Sequence, residues 1–187
     1  MGFVYAVTGY KAHELGIFDQ KHKGISYIKQ AFKKRIIALL DDGLEWIVIS
    51  GQLGVELWVG QVVDELRTEG FMIKLGVLTP FLNQEKTWSE SNQELYNEIL
   101  GYADYVDSIS KKEYENPMQL RMKNQFIIEK TNGIIILYDE DNEGSPKFYL
   151  EEARKKQDQA SYDIVYITPD DIDSIIREEQ ESNLDYW

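Results

Sequence analysis

The sequence predicts an α/β fold in three layers: a doubly wound, Rossmann-like arrangement around a mainly parallel sheet. Three observations carry this expectation. Short apolar runs alternate along the chain with longer stretches of helical periodicity. The clearest runs, Trp46-Ile47-Val48-Ile49 and Gly133-Ile134-Ile135-Ile136-Leu137-Tyr138, are continuously apolar, as strands buried on both faces are. Three runs end in a small-residue turn that leads towards a helix, as βα units do.

Val4-Tyr5-Ala6-Val7 is a first strand that stops at Thr8-Gly9, and a polar loop follows to about Gly24. Ile25, Ile28, Phe32, Ile36, Leu39 and Leu40 then recur at helical spacing, with Gly43 where a C-terminal cap belongs. The strand at Trp46 ends at Ser50-Gly51-Gln52-Leu53-Gly54, and a helix is expected over about residues 55–67. Ile73-Lys74-Leu75-Gly76-Val77-Leu78 reads as a third strand, stopped by Thr79-Pro80. A helix near residues 92–101, a weak strand at Tyr105-Val106-Asp107-Ser108-Ile109 and a helix opened by Pro117 come next. After the strand at Gly133, Gly144-Ser145-Pro146 leads into another helix. Ile164-Val165-Tyr166-Ile167 is the last strand, and a short acidic helix ends the chain. Residues 1–168 are expected to form one domain, with 169–187 as an acidic helix or tail.

Composition narrows the function classes. The chain has 187 residues, enough to bury roughly 70% of its unfolded surface. It has no cysteine, which excludes disulfides and thiolate zinc sites. His13 and His22 lack metal-ligand spacing and read as solvated, so no metal site is expected. The start shows no secretory leader and no run is long enough to span a bilayer, so the expectation is a cytoplasmic protein without membrane contact. A net charge of −13 disfavours nucleic acid as a partner. It leaves room for a small phosphate-bearing ligand, which helix ends and backbone amides bind locally.

The strand-to-helix turns are the candidate site, because ligands in such folds sit outside the carboxyl ends of the strands. Gly51 and Gly54 allow close backbone approach and leave amides to donate, and the helix after them adds its positive end. Glu56 in its first turn either caps the helix or holds a ribose hydroxyl. The same residues also describe an ordinary tight turn. Ser145 is either a helix N-cap or a phosphate contact, and the two are compatible. Trp58, among valines, reads as core rather than a base-stacking platform. The turns are neither Gly-Lys-Ser/Thr nor G-x-G-x-x-G, so a standard NAD site is not inferred.

Several strings carry a resemblance. They are Thr8-Gly9-Tyr10-Lys11, Glu14-Leu15-Gly16-Ile17-Phe18, Ser50-Gly51-Gln52-Leu53-Gly54-Val55-Glu56-Leu57-Trp58, Thr79-Pro80-Phe81, Lys123-Asn124-Gln125-Phe126 and Glu143-Gly144-Ser145-Pro146-Lys147. Together they resemble the YpsA family of bacterial proteins, over nearly the whole chain except the acidic tail. That family belongs to the SLOG superfamily, and the resemblance implies a site for nucleotides or nucleotide-derived molecules. Ser50 to Glu56 also looks like a shortened form of a turn in the DNA-processing protein A family. Met118-Gln119-Leu120-Arg121 and Gly144-Ser145 are similar to motifs of the "lonely guy" phosphoribohydrolases, with Arg121 matching their arginine. Phe148 stands where those enzymes carry their catalytic glutamate, which removes the carboxylate that would stabilise an oxocarbenium-like transition state.

Three expectations follow. The first is a binding or sensing protein, regulatory in role, for NAD, ADP-ribose or a nucleoside monophosphate. Gly51, Gln52, Gly54 and Glu56 would hold ribose or phosphate, and Thr8 and Gly9 would line the floor. Gly144 and Ser145 would take a second polar group, and Arg121 would pair with a phosphate. The second is an enzyme hydrolysing an N-glycosidic bond, with Glu56 or Asp139 supplying the carboxylate. The third is a regulatory protein with a vestigial pocket that binds a protein partner through Trp88, Tyr114 and Trp187; a homodimer is a further expectation.

Overall fold

The structure is a computed structural model and describes residues 2–185. Six strands are present: β1 (Phe3–Thr8), β2 (Leu44–Ile49), β3 (Lys74–Thr79), β4 (Tyr105–Ser108), β5 (Gly133–Leu137) and β6 (Asp163–Ile167). Six α-helices alternate with them: α1 (Lys23–Asp41), α2 (Val55–Thr68), α3 (Glu90–Tyr102), α4 (Met118–Lys130), α5 (Pro146–Gln159) and α6 (Pro169–Leu184). Short 3-10 turns occupy Ala12–Leu15 and Gln84–Thr87.

Every strand pairing is parallel, in the order β4-β3-β2-β1-β5-β6. The chain steps outward from β1 to β4, then returns to place β5 on the other side of β1. Right-handed crossovers put the outward helices on one face and the returning helices on the other. Side-chain alternation agrees. Tyr5, Val7, Ile47, Ile49, Ile135 and Leu137 join a core with α1, α2, α3 and α6. Ala6, Val48, Ile134 and Ile136 join a second core with α4 and α5. Both faces are buried, which is why the central strands carry no polar alternation.

Caps set the helix starts. His22 Nδ1 accepts from Gly24 N at 3.0 Å, and Ser89 Oγ accepts from Asn92 N at 3.3 Å. α3 therefore begins at Glu90, two residues before the apolar pattern suggests. Thr168 and Asp171 form a reciprocal capping box on α6. α6 is more than a solvated acidic tail: Ile175 is buried and Ile172 packs against the same core.

Four helices cover one face and two the other, so part of the sheet stays bare. Trp46, Val48, Gly76, Leu78 and Tyr105 line a groove of about 700 Å³ beside Met122 and Phe126 of α4. Of the aromatic residues nominated for a partner, Tyr114 is exposed against Phe81. Trp88 is partly buried, edge-on to Tyr96. Trp187 lies outside the described residues.

Candidate functional site

β1 and β5 are neighbours whose outgoing connections leave towards opposite faces of the sheet. This is the switch point of the strand order, and in such folds the ligand crevice lies there, outside the carboxyl ends of the strands. On β1 and β2 the alternation of side chains puts Thr8 and Ser50 on the α4–α5 side, following Ala6 and Val48. Glu56, from the first turn of α2, is 1% exposed and reaches both. Its Oε1 accepts from Ser50 N at 2.6 Å and Ser50 Oγ at 2.8 Å, and its Oε2 accepts from Thr8 Oγ1 at 3.0 Å. A buried carboxylate with three donors is satisfied locally, and it ties the ends of β1 and β2 to the start of α2.

A buried cation lies near this carboxylate. Lys123 on α4 is 6% exposed, and its Nζ donates to Tyr149 Oη at 3.2 Å while sitting 4.4 Å from the Tyr149 ring centroid. That is its one hydrogen bond among the described residues. Burial pushes the Lys123 ammonium down to about 8; the Glu56 carboxylate opposes this and Lys11 adds to it. Burial also pushes the Tyr149 phenol well above its ordinary range, with Glu56 adding to the shift and Ser50 opposing it. Residues from β1, β2, α2, α4 and α5 thus converge on one polar cluster in an otherwise apolar interior.

The Lys123 shift has a measurable consequence. The folded chain holds this proton less tightly than the unfolded one, so the unfolded state binds more protons above pH 8 and stability rises with pH there. The stability of wild type relative to Lys123→Met should grow by roughly 2 kcal/mol between about pH 7 and pH 9.5. Urea denaturation across that range checks it, and a flat difference would show that folding does not lower the affinity of Lys123 for its proton.

The loop after β1 passes over the same region. The Tyr10 carbonyl accepts from Val55 N at 3.2 Å, at the start of α2. A Cβ built on Gly54 would lie 2.5 Å from the Tyr10 carbonyl oxygen and 2.6 Å from Ala12 N. The close approach that Gly54 permits is therefore made by the protein's own chain. Tyr10 Oη accepts from Asp139 N at 2.8 Å and donates to Asn142 O at 2.5 Å. Glu14 takes Ser145 N at 2.8 Å on Oε2, and Ser145 Oγ at 2.5 Å and Lys11 N at 2.8 Å on Oε1. Burial works against the Glu14 charge, but the bonds from Ser145 and Lys11 outweigh it and hold the carboxyl below its ordinary range.

The residues nominated from sequence fall into three groups. Thr8, Gly9, Gly51, Gln52, Gly54 and Glu56 lie together at the ends of β1 and β2. Gly51 is in the left-handed region at φ +80°, and its space is bounded by Tyr96 and Gln84. Gly144 and Ser145 open α5 across the crevice, where Ser145 stands at the N-cap position but gives its hydroxyl to Glu14. Arg121 is not brought to the cluster: it is exposed, about 200° around α4 from Lys123. His13 and His22 are exposed, and no group of three or more His, Asp or Glu among the described residues could hold a metal ion.

Sequence reasoning missed Lys123, Tyr149 and Glu14 as site residues. The first had a signal: Gln119, Lys123 and Ile127 share one helix stripe, and a lysine on the buried stripe of a helix is an anomaly. Glu14 stands in one of the strings that carry the resemblance, but nothing local points to its partner Ser145, 131 residues away.

Comparison with known proteins gives the family. The model of the YspA SLOG family, YpsA, matches residues 5–172. The chain belongs to the YpsA family of SLOG proteins. A UPF0398 protein of Halalkalibacterium halodurans is 54% identical over 177 residues, covering 95% of this chain and 94% of its own. UPF0398 proteins of Bacillus cereus and Bacillus thuringiensis are each 51% identical over 180 residues, covering 96% of this chain and 98% of theirs. The family match runs from within β1 to the start of α6, so residues 1–4 and the acidic remainder of α6 lie beyond it. Among the described residues no helix is long and apolar enough to cross a membrane.

Proposed function

We propose that this YpsA-family protein binds a nucleotide-derived anionic ligand in the switch-point crevice and acts as a sensor rather than as an enzyme. NAD, ADP-ribose and nucleoside monophosphates are the candidate ligands. Membership of the SLOG family supports a nucleotide-related role. The observation that carries the reading is Lys123. A nine-tenths-buried ammonium with one hydrogen bond, at the ligand-binding end of the sheet, keeps two donors and a positive charge for an anionic group.

The hydrolase alternative is less well supported. Glu56 has both oxygens engaged by Thr8 and Ser50 and is shielded from the crevice. Phe148, at the position the resemblance equates with a catalytic glutamate, is an exposed side chain beside Lys147. Neither supplies the free carboxylate that cleavage of an N-glycosidic bond needs.

A thermal-shift titration with NAD, ADP-ribose and AMP tests the reading. A ligand at about 100 times its dissociation constant adds about 2.7 kcal/mol, which a domain of this size shows as roughly 5–10 °C. The shift should disappear in Lys123→Met. Absence of a shift with every member of the panel would remove this function.

A further inference from the structure

The crevice between β1 and β5 is bridged by the chain itself. One segment, residues 10–15, meets both helix starts that border it. At α2 the Tyr10 carbonyl accepts from Val55 N, and at α5 the Glu14 carboxylate accepts from the amide and hydroxyl of Ser145. An acceptor of the kind a phosphate would offer already sits on each helix N-terminus. The Glu14 carboxylate in particular presents the paired oxygens of a phosphoryl edge, and a second anion cannot share its place without strong repulsion.

We propose that residues 11–16, between the buried Tyr10 and Ile17, are a ligand-operated gate, in which Glu14 stands in for the ligand's phosphate at Ser145 and is displaced when a phosphate-bearing ligand binds. This rests on the reading of the crevice as a nucleotide-type site. Two features make the segment displaceable. No residue of the Ala12–Leu15 turn is fully buried, Ala12 and Leu15 packing only partly against the core, while Tyr10 and Ile17 on either side are buried in it and form the fixed ends. Beyond the anchor at Ile17, residues Phe18 to Lys23 are all exposed. The Glu14 oxygen that accepts from Ser145 Oγ also accepts from Lys11 N, so its departure undoes the 3-10 turn from within. The gate also has a sensing consequence. Release at Ser145 also frees Lys11 N and opens the 3-10 turn, which a partner can read.

Hydrogen exchange with and without ADP-ribose, on wild type, Glu14→Gln and Glu14→Ala, tests the gate. Saturating ligand should speed exchange of residues 11–16 in wild type to the level of ligand-free Glu14→Ala, and both variants should bind ADP-ribose on the order of tenfold more tightly. Unchanged or weaker binding by the variants, or a segment whose exchange ligand does not alter, overturns the gate. Glu14→Gln keeps the side-chain shape and carries the measurement if Glu14→Ala does not fold. If no nucleotide binds wild type or variants, the functional reading fails separately. Inorganic pyrophosphate then decides the gate: slowed exchange of the Ser145 amide in the variant but not in wild type supports it, and no slowing overturns it.

Discussion

Glu56→Ala should lower folding stability by about 4 kcal/mol, which corresponds to a fall in Tm of roughly 8–16 °C. The substitution removes one carboxylate and strands three donors: Ser50 N, Ser50 Oγ and Thr8 Oγ1. All three are in the interior, where an unsatisfied donor costs about 1–3 kcal/mol and small rearrangements recover only part of it. The change also removes the negative charge that partly offsets the burial of Lys123. Glu56→Gln keeps the shape but turns one acceptor into a donor, so it should cost about half as much. Differential scanning calorimetry of the three proteins checks both values. A Tm within two degrees of wild type for Glu56→Ala would mean that water or a neighbouring group replaces the carboxylate. It follows that loss of ligand binding in Glu56 variants has to be read well below their melting temperature, because the residue holds the fold at the site as well as its charge.

Gly54→Ala is the second large effect. The position has φ +107° and ψ −132°, a region that L-residues essentially do not occupy. The added Cβ would also meet backbone atoms of Tyr10, Lys11 and Ala12 within 2.9 Å, and backbone cannot yield by changing rotamer. The expected cost is more than about 3 kcal/mol, and faster amide exchange should be concentrated at residues 10–16. Gly16→Ala is the control. Gly16 also has positive φ, at +67°, but nothing lies within 4 Å of its Cβ direction, so it should cost only about 1 kcal/mol. Equal losses in the two variants would show that backbone conformation, rather than contact with residues 10–12, sets the requirement for glycine at position 54.

These two residues separate what was legible in the sequence from what was not. A glycine at the end of a strand and an acid in the first turn of the next helix mark a strand-to-helix turn at the carboxyl edge of a parallel sheet. Both stand at the carboxyl ends of the strands, and both have partners far away in the chain. Gly54 accommodates the Tyr10–Ala12 backbone and Glu56 accommodates Thr8 and Ser50, groups up to 48 residues away. A local string shows that a position needs close approach or an acceptor. It does not show which distant group makes the approach.

The sequence alone determined the alternation of strands and helices, the parallel buried sheet, the turns that border the crevice and the family to which the chain belongs. Each of these is written in short-range patterns: continuous apolar runs, helical spacing, small residues at turns and recognisable strings. Only the tertiary structure decided that Lys123 rather than Arg121 reaches the polar cluster. That outcome depends on which stripe of α4 faces the sheet, and two residues on a helix differ by about 200°. Only the tertiary structure brought Glu14 to Ser145, because the strand order places β5 beside β1 and thereby joins loops 131 residues apart.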